Sequence, residues 1–177
     1  MKNMNRDLNH PVWDVYDEFR TVKLNVRYYE SKLKKLSRSN AFTEYILAIS
    51  TSSSVAGLWL WENNFGGYLW KGLGALAIFL ALGRPIFNLT DKIKNTSEIL
   101  GAYLALDNDF NKLKIRISQD KKYDKPLQEE FKTLLETKGY IISKTTYDDR
   151  DDALIKKCTN QVNIELPAKN FFIPTEE

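Results

Sequence analysis

Cysteine and histidine are almost absent from this chain of 177 residues, which has one of each, Cys158 and His10. A single cysteine excludes an intrachain disulfide and fits a reducing cytoplasm, where we expect a packed and unreactive thiol. A single histidine excludes multi-histidine metal sites, so we expect His10 to act only where the first helix starts. Neither residue type indicates redox or metal chemistry.

The chain also lacks a strong excess of charge of one sign. Its 26 Lys and Arg residues and 23 Asp and Glu residues give a net charge of +3, with both signs mixed along the chain. No basic face therefore indicates a nucleic-acid surface. The first residues, MKNMNRDLNHPVW, contain no apolar segment typical of a secretory signal, so we expect the first apolar helix to direct insertion itself.

Motifs that would indicate catalysis are lacking too. The hydroxyl run at residues 50–54 has no glycines of a nucleophile elbow, and Gly66 and Gly67 are not followed by the Lys-Ser or Lys-Thr of a phosphate loop. An acidic cluster departs from a calcium-loop spacing and contains Arg150, which favours helix capping over cation binding. The cluster consists of Asp148, Asp149, Asp151 and Asp152. We therefore predict no enzyme, no catalytic residue, no cofactor and no metal site.

Two long apolar runs dominate what is present, at residues 42–61 and 69–89. At about 1.5 Å rise per residue, about 20 residues make a helix of about 30 Å, which matches the hydrocarbon thickness of a bilayer. The intervening segment, residues 62–68 (ENNFGGY), supplies Asn and Gly for a tight reversal. Aromatic residues that favour the headgroup layer flank it, namely Trp59, Trp61, Tyr68 and Trp70. The pattern predicts a transmembrane helical hairpin.

Three charged residues, Glu44, Lys71 and Arg84, interrupt these runs and leave a buried hairpin of a soluble helical bundle as an alternative. All three lie near the ends of the segments, where side chains can reach the interface. Glu44 and Arg84 are expected at similar depth on opposite helices. Either they form an intramembrane charge pair, or each reaches the interface independently.

The flanks of the runs set the predicted orientation. Positively charged residues precede the first run and follow the second, whereas the loop contains only Glu62 as a charged residue. They are Lys32, Lys34, Lys35, Arg38, Lys92 and Lys94. The positive-inside rule then places both termini in the cytoplasm of a multi-pass inner-membrane protein.

Small and polar residues form one stripe on each predicted span. Ser50, Ser54 and Gly57 lie on the first, and Gly74, Ala77 and Ala81 on the second. In lipid, helices associate through close approach at small residues and through hydroxyl hydrogen bonds. The two stripes are candidates for helix packing within one hairpin, or for packing and pore lining in a ring of hairpins.

A heptad-like row precedes the first run, within residues 1–41. It consists of Val12, Val15, Phe19, Val22, Val26, Tyr29, Leu33 and Leu36. Such a row predicts one long amphipathic helix, packed either within its own chain or in a coiled coil between subunits. A second row in residues 90–118 passes through Thr96, Leu100 and Tyr103, then needs an extra step of three to reach Leu106. It predicts a return helix, antiparallel to the first and overwound at a stammer.

The C-terminal region, residues 119–177, has weaker patterns. Asp124 and Pro126 predict the start of a helix near residues 125–138, which Gly139 would end. The β-branched residues 139–147 resemble a short strand, residues 148–152 resemble a helix start, and Val162, Ile164 and Leu166 alternate. The predicted fold is an all-α membrane protein with a cytoplasmic rod of two antiparallel helices and a small C-terminal helical, or mixed, region.

Two segments, RYYESKLKKLSRS and DKIKNTSEILGAYLALDNDFNKLK, flank the hairpin. In this setting, residues 10–118 resemble the SLATT families, bacterial two-transmembrane domains of nucleotide-signalled conflict systems. The resemblance implies a non-catalytic effector of antiphage defence that oligomerises in the inner membrane and permeabilises it when a cytoplasmic sensor signals. Its partners would be lipid, further copies and that sensor. The alternative is a membrane-anchored scaffold that docks a cytoplasmic partner and conducts nothing.

Overall fold

The structure of the chain, a computed structural model, describes residues 9–56, 72, 75–76, 79, 88–145 and 150–174. These residues form four α-helices and one turn of 3₁₀ helix, and they contain no strand, so the all-helical prediction is confirmed for them. The elements are α1 (Val12–Ala56), α2 (Leu89–Asp120), α3 (Lys125–Ser143), α4 (Asp152–Glu165) and the 3₁₀ turn (Ala168–Asn170). The chain divides into two compact units, Met1–Ser31 with Ser97–Glu177, and Lys32–Thr96.

The predicted membrane hairpin is described only in part. Helix α1 continues through the first run as far as Ala56, and isolated described positions in the second run, residues 72, 75, 76 and 79, are helical. The predicted turn at residues 62–68 lies outside the described residues. Among the residues that are described, no helix is both long enough and apolar enough to cross a membrane.

Helices α1 and α2 run antiparallel in the first unit. The rings of Phe19 and Phe110 stack with centroids 6.5 Å apart, and those of Tyr29 and Tyr103 stack at 5.5 Å. Between these layers, Lys23 Nζ lies 2.9 Å from Asp107 Oδ2. Residue numbers therefore rise along α1 as they fall along α2, as the sequence analysis predicts for the return helix.

The predicted apolar row of α1 is buried from its first member to Tyr29, while Leu33 and Leu36 are partly exposed. Two residues outside the row, Tyr16 and Tyr28, are buried as well. The C-terminal part of the same chain covers them. Tyr16 stacks on Phe171, and the hydroxyl of Tyr28 accepts a hydrogen bond from the backbone N–H of Asp151. Packing within the chain thus accounts for the row in this unit.

The row on α2 corrects the sequence analysis. Its buried members are Ile99, Tyr103, Leu106, Phe110, Leu113 and Ile117, which alternate steps of four and three without interruption. Leu100, which the prediction used, is only partly buried, and the stammer predicted at Leu106 is wrong. Ile99 and Leu100 are equally apolar neighbours, so only contact with α1 selects Ile99 as the inward residue.

Helices cover residues 139–143, part of the segment that resembles a short strand, and the alternating residues Val162 and Ile164. Helix α3 passes through Gly139 and ends at Ser143, because Ile141 is buried one heptad beyond Leu134. Burial of an isoleucine contributes about 1.5–3 kcal/mol and outweighs the cost of about 1 kcal/mol for a helical glycine. The alternation at Val162, Ile164 and Leu166 also misleads, because α4 runs to Glu165 and leaves Ile164 81% exposed.

Gly139→Ala tests the corrected end of α3. A Cβ at this exposed position meets nothing within 4 Å, so we expect alanine to raise the free energy of unfolding by about 0.5–1 kcal/mol. If the helix instead ended here with a left-handed glycine, alanine would lower stability. The sign of the change in urea denaturation, followed by circular dichroism, distinguishes the two structures.

Candidate functional site

The predicted membrane-packing residues are only partly placed. Ser50 and Ser54 lie in the last turns of α1, and Gly57, Gly74, Ala77 and Ala81 lie outside the described residues. Glu44 lies in α1 and is partly exposed, whereas Arg84 lies outside the described residues. The packing stripes and the charge pair therefore stay predictions.

Large apolar side chains are exposed at several described positions of the two apolar runs. On α1, Phe42 is 64% and Tyr45 is 65% exposed, and at helical positions of the second run Phe79 is 66% and Leu76 is 42% exposed. Where exposed apolar side chains form a contiguous patch, they are typical of a surface that contacts lipid or another protein. We name these four residues the apolar surface.

Five of the six basic residues that flank the runs are exposed, and the sixth, Lys32, is partly exposed. Lys34, Lys35 and Arg38 of α1 and Lys92 and Lys94 of α2 are all exposed to solvent. Exposed cations next to an apolar helical segment suit the anionic headgroups at a membrane surface.

His10 and Cys158 have structural roles. His10 is buried, and its Nδ1 accepts a hydrogen bond of 3.1 Å from the backbone N–H of Val12, so it caps the start of α1. The side chain of Cys158 is fully buried in α4, which confirms the packed thiol that the sequence predicts.

The acidic cluster serves helix capping where it is described. Asp151 is the N-cap of α4 and accepts a hydrogen bond of 3.0 Å from the backbone N–H of Leu154, and Asp152 pairs with Arg150 at 3.2 Å. Asp148 and Asp149 lie outside the described residues. The described part of the chain contains no group of three or more side chains that could hold a metal ion.

Ion pairs join the helices around α1, and the sequence analysis predicts none of them. Lys23 pairs with Asp107 of α2, Glu18 with Lys138 of α3, and Arg27 with Glu165 of α4. Hydrogen bonding to Glu165 is the main cause that raises the pKa of Arg27. No local signal reveals these pairs, because their members lie 84 or more residues apart in the chain.

Tyr16 anchors the segment that follows α4. Its ring is fully buried and stacks on Phe171 with centroids 4.3 Å apart, and its hydroxyl donates a hydrogen bond of 2.5 Å to the carbonyl oxygen of Phe172. Burial raises the pKa of Tyr16 to about 12, from 10.0. The same cause raises the pKa of Tyr123 to about 12.

Alkaline pH should therefore destabilise the first unit. Because the unfolded chain loses the Tyr16 proton near pH 10 and the folded chain only near pH 12, stability is complete below pH 10 and falls as the pH rises toward 12. For Tyr16 alone, a shift of this size amounts to about 2–3 kcal/mol. Tyr16→Phe should reduce this loss, as measured by urea denaturation at about pH 8 and about pH 11. Tyr140→Phe, at a 61% exposed position, is the control; an equal loss in wild type and Tyr16→Phe would contradict the assignment.

Comparisons with known proteins place the chain in no family. No family model matches it, and neither a curated protein nor a solved structure matches it with significance.

Proposed function

We propose that this chain is a two-transmembrane effector that oligomerises in a bacterial inner membrane and permeabilises it on activation, in defence against phage. The observation that carries the proposal is the apolar surface, Phe42, Tyr45, Leu76 and Phe79, exposed on helical segments of two runs long enough to span a bilayer. Large apolar side chains in this setting require cover by lipid or by neighbouring hairpins. The resemblance of residues 10–118 to the SLATT families supports the same role.

The exposed cations on both flanks support the proposed orientation. Lys34, Lys35 and Arg38 precede the first run, and Lys92 and Lys94 follow the second. Lys and Arg are retained on the cytoplasmic side of membrane helices. Both termini, and with them the unit built around Tyr16 and Phe110, then lie in the cytoplasm, where a sensor can reach them.

Permeabilisation in this proposal needs no catalytic residue, because the assembled helices themselves form the path. The small and polar stripes supply the contacts that assembly requires, Ser50, Ser54 and Gly57 on one helix and Gly74, Ala77 and Ala81 on the other. Bulky side chains at these positions keep helix axes apart and should prevent assembly.

Membrane fractionation tests the first half of the proposal. We expect the full chain to stay in the membrane pellet after washing with alkaline carbonate and with high salt. Release into the supernatant by either wash would favour the soluble helical bundle and contradict the proposal.

Depolarisation tests the second half. Strong expression of the full chain should collapse the membrane potential and arrest growth, and Ser54→Leu or Gly57→Leu should reduce both effects. Ser52→Leu, the same change on the opposite side of the predicted helix, is the matched control and should leave both effects intact. A membrane-bound chain that causes no depolarisation at any expression level would instead be the non-conducting scaffold.

A further inference from the structure

Helix α4 is held on α1 differently from the way α3 is held in the bundle. Helix α3 buries three large apolar residues at heptad spacing, Leu127, Leu134 and Ile141, and its Phe131 packs edge-on against Phe110 at 6.2 Å. Helix α4 has 14 residues and buries only Cys158 and Val162. Because an isolated helix of this length is marginal in water, α4 depends on its contacts for its structure.

Beside the packing of Cys158 and of the partly buried Leu154 and Ile155 on the core, polar contacts join α1 to the α4 region. Arg20 Nη2 donates a hydrogen bond of 2.5 Å to Asn163 Oδ1, and Arg27 Nη2 donates to both carboxylate oxygens of Glu165 at 2.9 and 3.1 Å. The backbone N–H of Asp151 donates to the Tyr28 hydroxyl at 3.3 Å. Because the Arg20 and Arg27 contacts are partly exposed, salt and water compete for them.

The α1–α4 interface also contains hydrogen-bond donors without partners and a groove that no side chain fills. Nε of Arg20 and Nε of Arg27 are both buried without a hydrogen-bond partner among the described residues. A buried donor in this state opposes docking, since it recovers its hydrogen bond to water when the interface opens. Between the two helices lies a shallow open groove, lined in part by Thr21, Thr159 and Asn163.

We propose that α4 is a releasable latch, which detaches from α1 while the bundle of α1, α2 and α3 stays folded. Release uncovers a surface of α1 formed by Arg20, Leu24, Arg27 and Tyr28, which we name the latch surface. The segment after α4 is held separately, by the stack of Phe171 on Tyr16. Salt does not screen apolar contacts of that kind, so it should weaken the exposed polar contacts of α4 more than the attachment of the following segment.

The latch belongs to the unit Met1–Ser31 with Ser97–Glu177 and is independent of whether the chain permeabilises a membrane. If the effector proposal failed, the latch proposal would therefore still hold. If the latch proposal failed, the effector proposal would be unaffected. In an effector, release of α4 would be the step that converts a closed cytoplasmic unit into one with an accessible basic and aromatic surface.

Cys158 makes this opening measurable, because it is the only cysteine of the chain and is fully buried in α4. The full chain is labelled with iodoacetamide, an uncharged reagent, at increasing urea and at low and high NaCl. We expect labelling at low urea to be nearly independent of urea, which is the signature of local opening, and to become roughly two- to fivefold faster at high salt.

Glu165→Gln removes the charge that binds Arg27 and should accelerate labelling by a similar factor, roughly two- to fivefold. Glu130→Gln is the matched control, because it removes the charge of the Arg116–Glu130 pair between α2 and α3 at a comparable exposure, 31% against 37%. The control should label at the wild-type rate. The proposal is overturned if labelling follows the urea dependence of global unfolding, if salt has no effect, or if both variants accelerate equally.

Discussion

Phe110→Ala is expected to lower the free energy of unfolding of the first unit by about 3–5 kcal/mol. Phe110 is fully buried and stacks on Phe19 of α1 at 6.5 Å, and it also meets Phe131 of α3 edge-on at 6.2 Å. Removing the ring therefore loses contacts to two neighbouring helices and leaves a cavity that backbone shifts close only in part.

The measurement is urea denaturation of the full chain, followed by circular dichroism and by Cys158 labelling in parallel. Ile115→Ala on the same helix is the control, because Ile115 is 42% exposed and its truncation should cost less than about 1 kcal/mol. Equal losses for the two variants would contradict the burial of Phe110 in an α1–α2–α3 core.

Asp107→Leu is expected to cost about 2–4 kcal/mol, because it leaves the Lys23 ammonium without its carboxylate between α1 and α2. The side chains are only 26% and 14% exposed, and the second carboxylate oxygen of Asp107, Oδ1, is buried without a partner among the described residues. The pair lies between the aromatic layers of Phe19 with Phe110 and Tyr29 with Tyr103. A register shift of α1 against α2 would bury the charges of Lys23 and Asp107 without their partners.

The double variant Lys23→Met with Asp107→Leu separates the cost of an unpaired charge from the cost of fitting leucine at position 107. We expect it to recover most of the loss, because an apolar pair of similar volume avoids the desolvation cost of two partly buried charges. A double variant as unstable as Asp107→Leu would show that the cost comes from leucine fitting poorly, and would contradict the charge argument. A double-mutant cycle from urea denaturation gives the coupling energy directly.

The helical class and the α1 row were predictable because both depend on local periodicity. From Val12 to Tyr29 the row has no competing apolar neighbour that fits it better, so the sequence indicates the correct face. On α2 the adjacent residues Ile99 and Leu100 offer two rows, and the predicted row through Leu100 is the wrong one. Contact with α1 decides between them, and that contact has no local signature.

The end of α3 was mispredicted for a related reason. Gly139 and the β-branched residues after it favour a stop and a strand by propensity, which is worth only about 1 kcal/mol. Burial of Ile141 is worth more, and its partners come from other helices. At the end of this helix, the free energy of tertiary contacts therefore outweighs the local propensity of the residues.

The candidate sites divide in the same way. The sequence was sufficient to predict a capping role for the acidic cluster, shown by Asp151, and a packed thiol at Cys158. It gave no indication of the latch contacts, because Arg20 and Asn163 lie 143 residues apart and Arg27 and Glu165 lie 138 apart. As isolated residues on helix flanks, all four look like ordinary solvated positions.

The sequence by itself determined the helical periodicity, the two apolar runs with their basic flanks, and the scarcity of cysteine and histidine. These are properties of single segments, set by the 3.6-residue repeat and by side-chain chemistry. Only the tertiary structure decided which of two apolar neighbours faces inward, where α3 ends, and that Lys23, Arg27 and Glu18 bind partners on three other helices. The physical reason is that free energies of packing and ion pairing depend on groups brought together from distant parts of the chain.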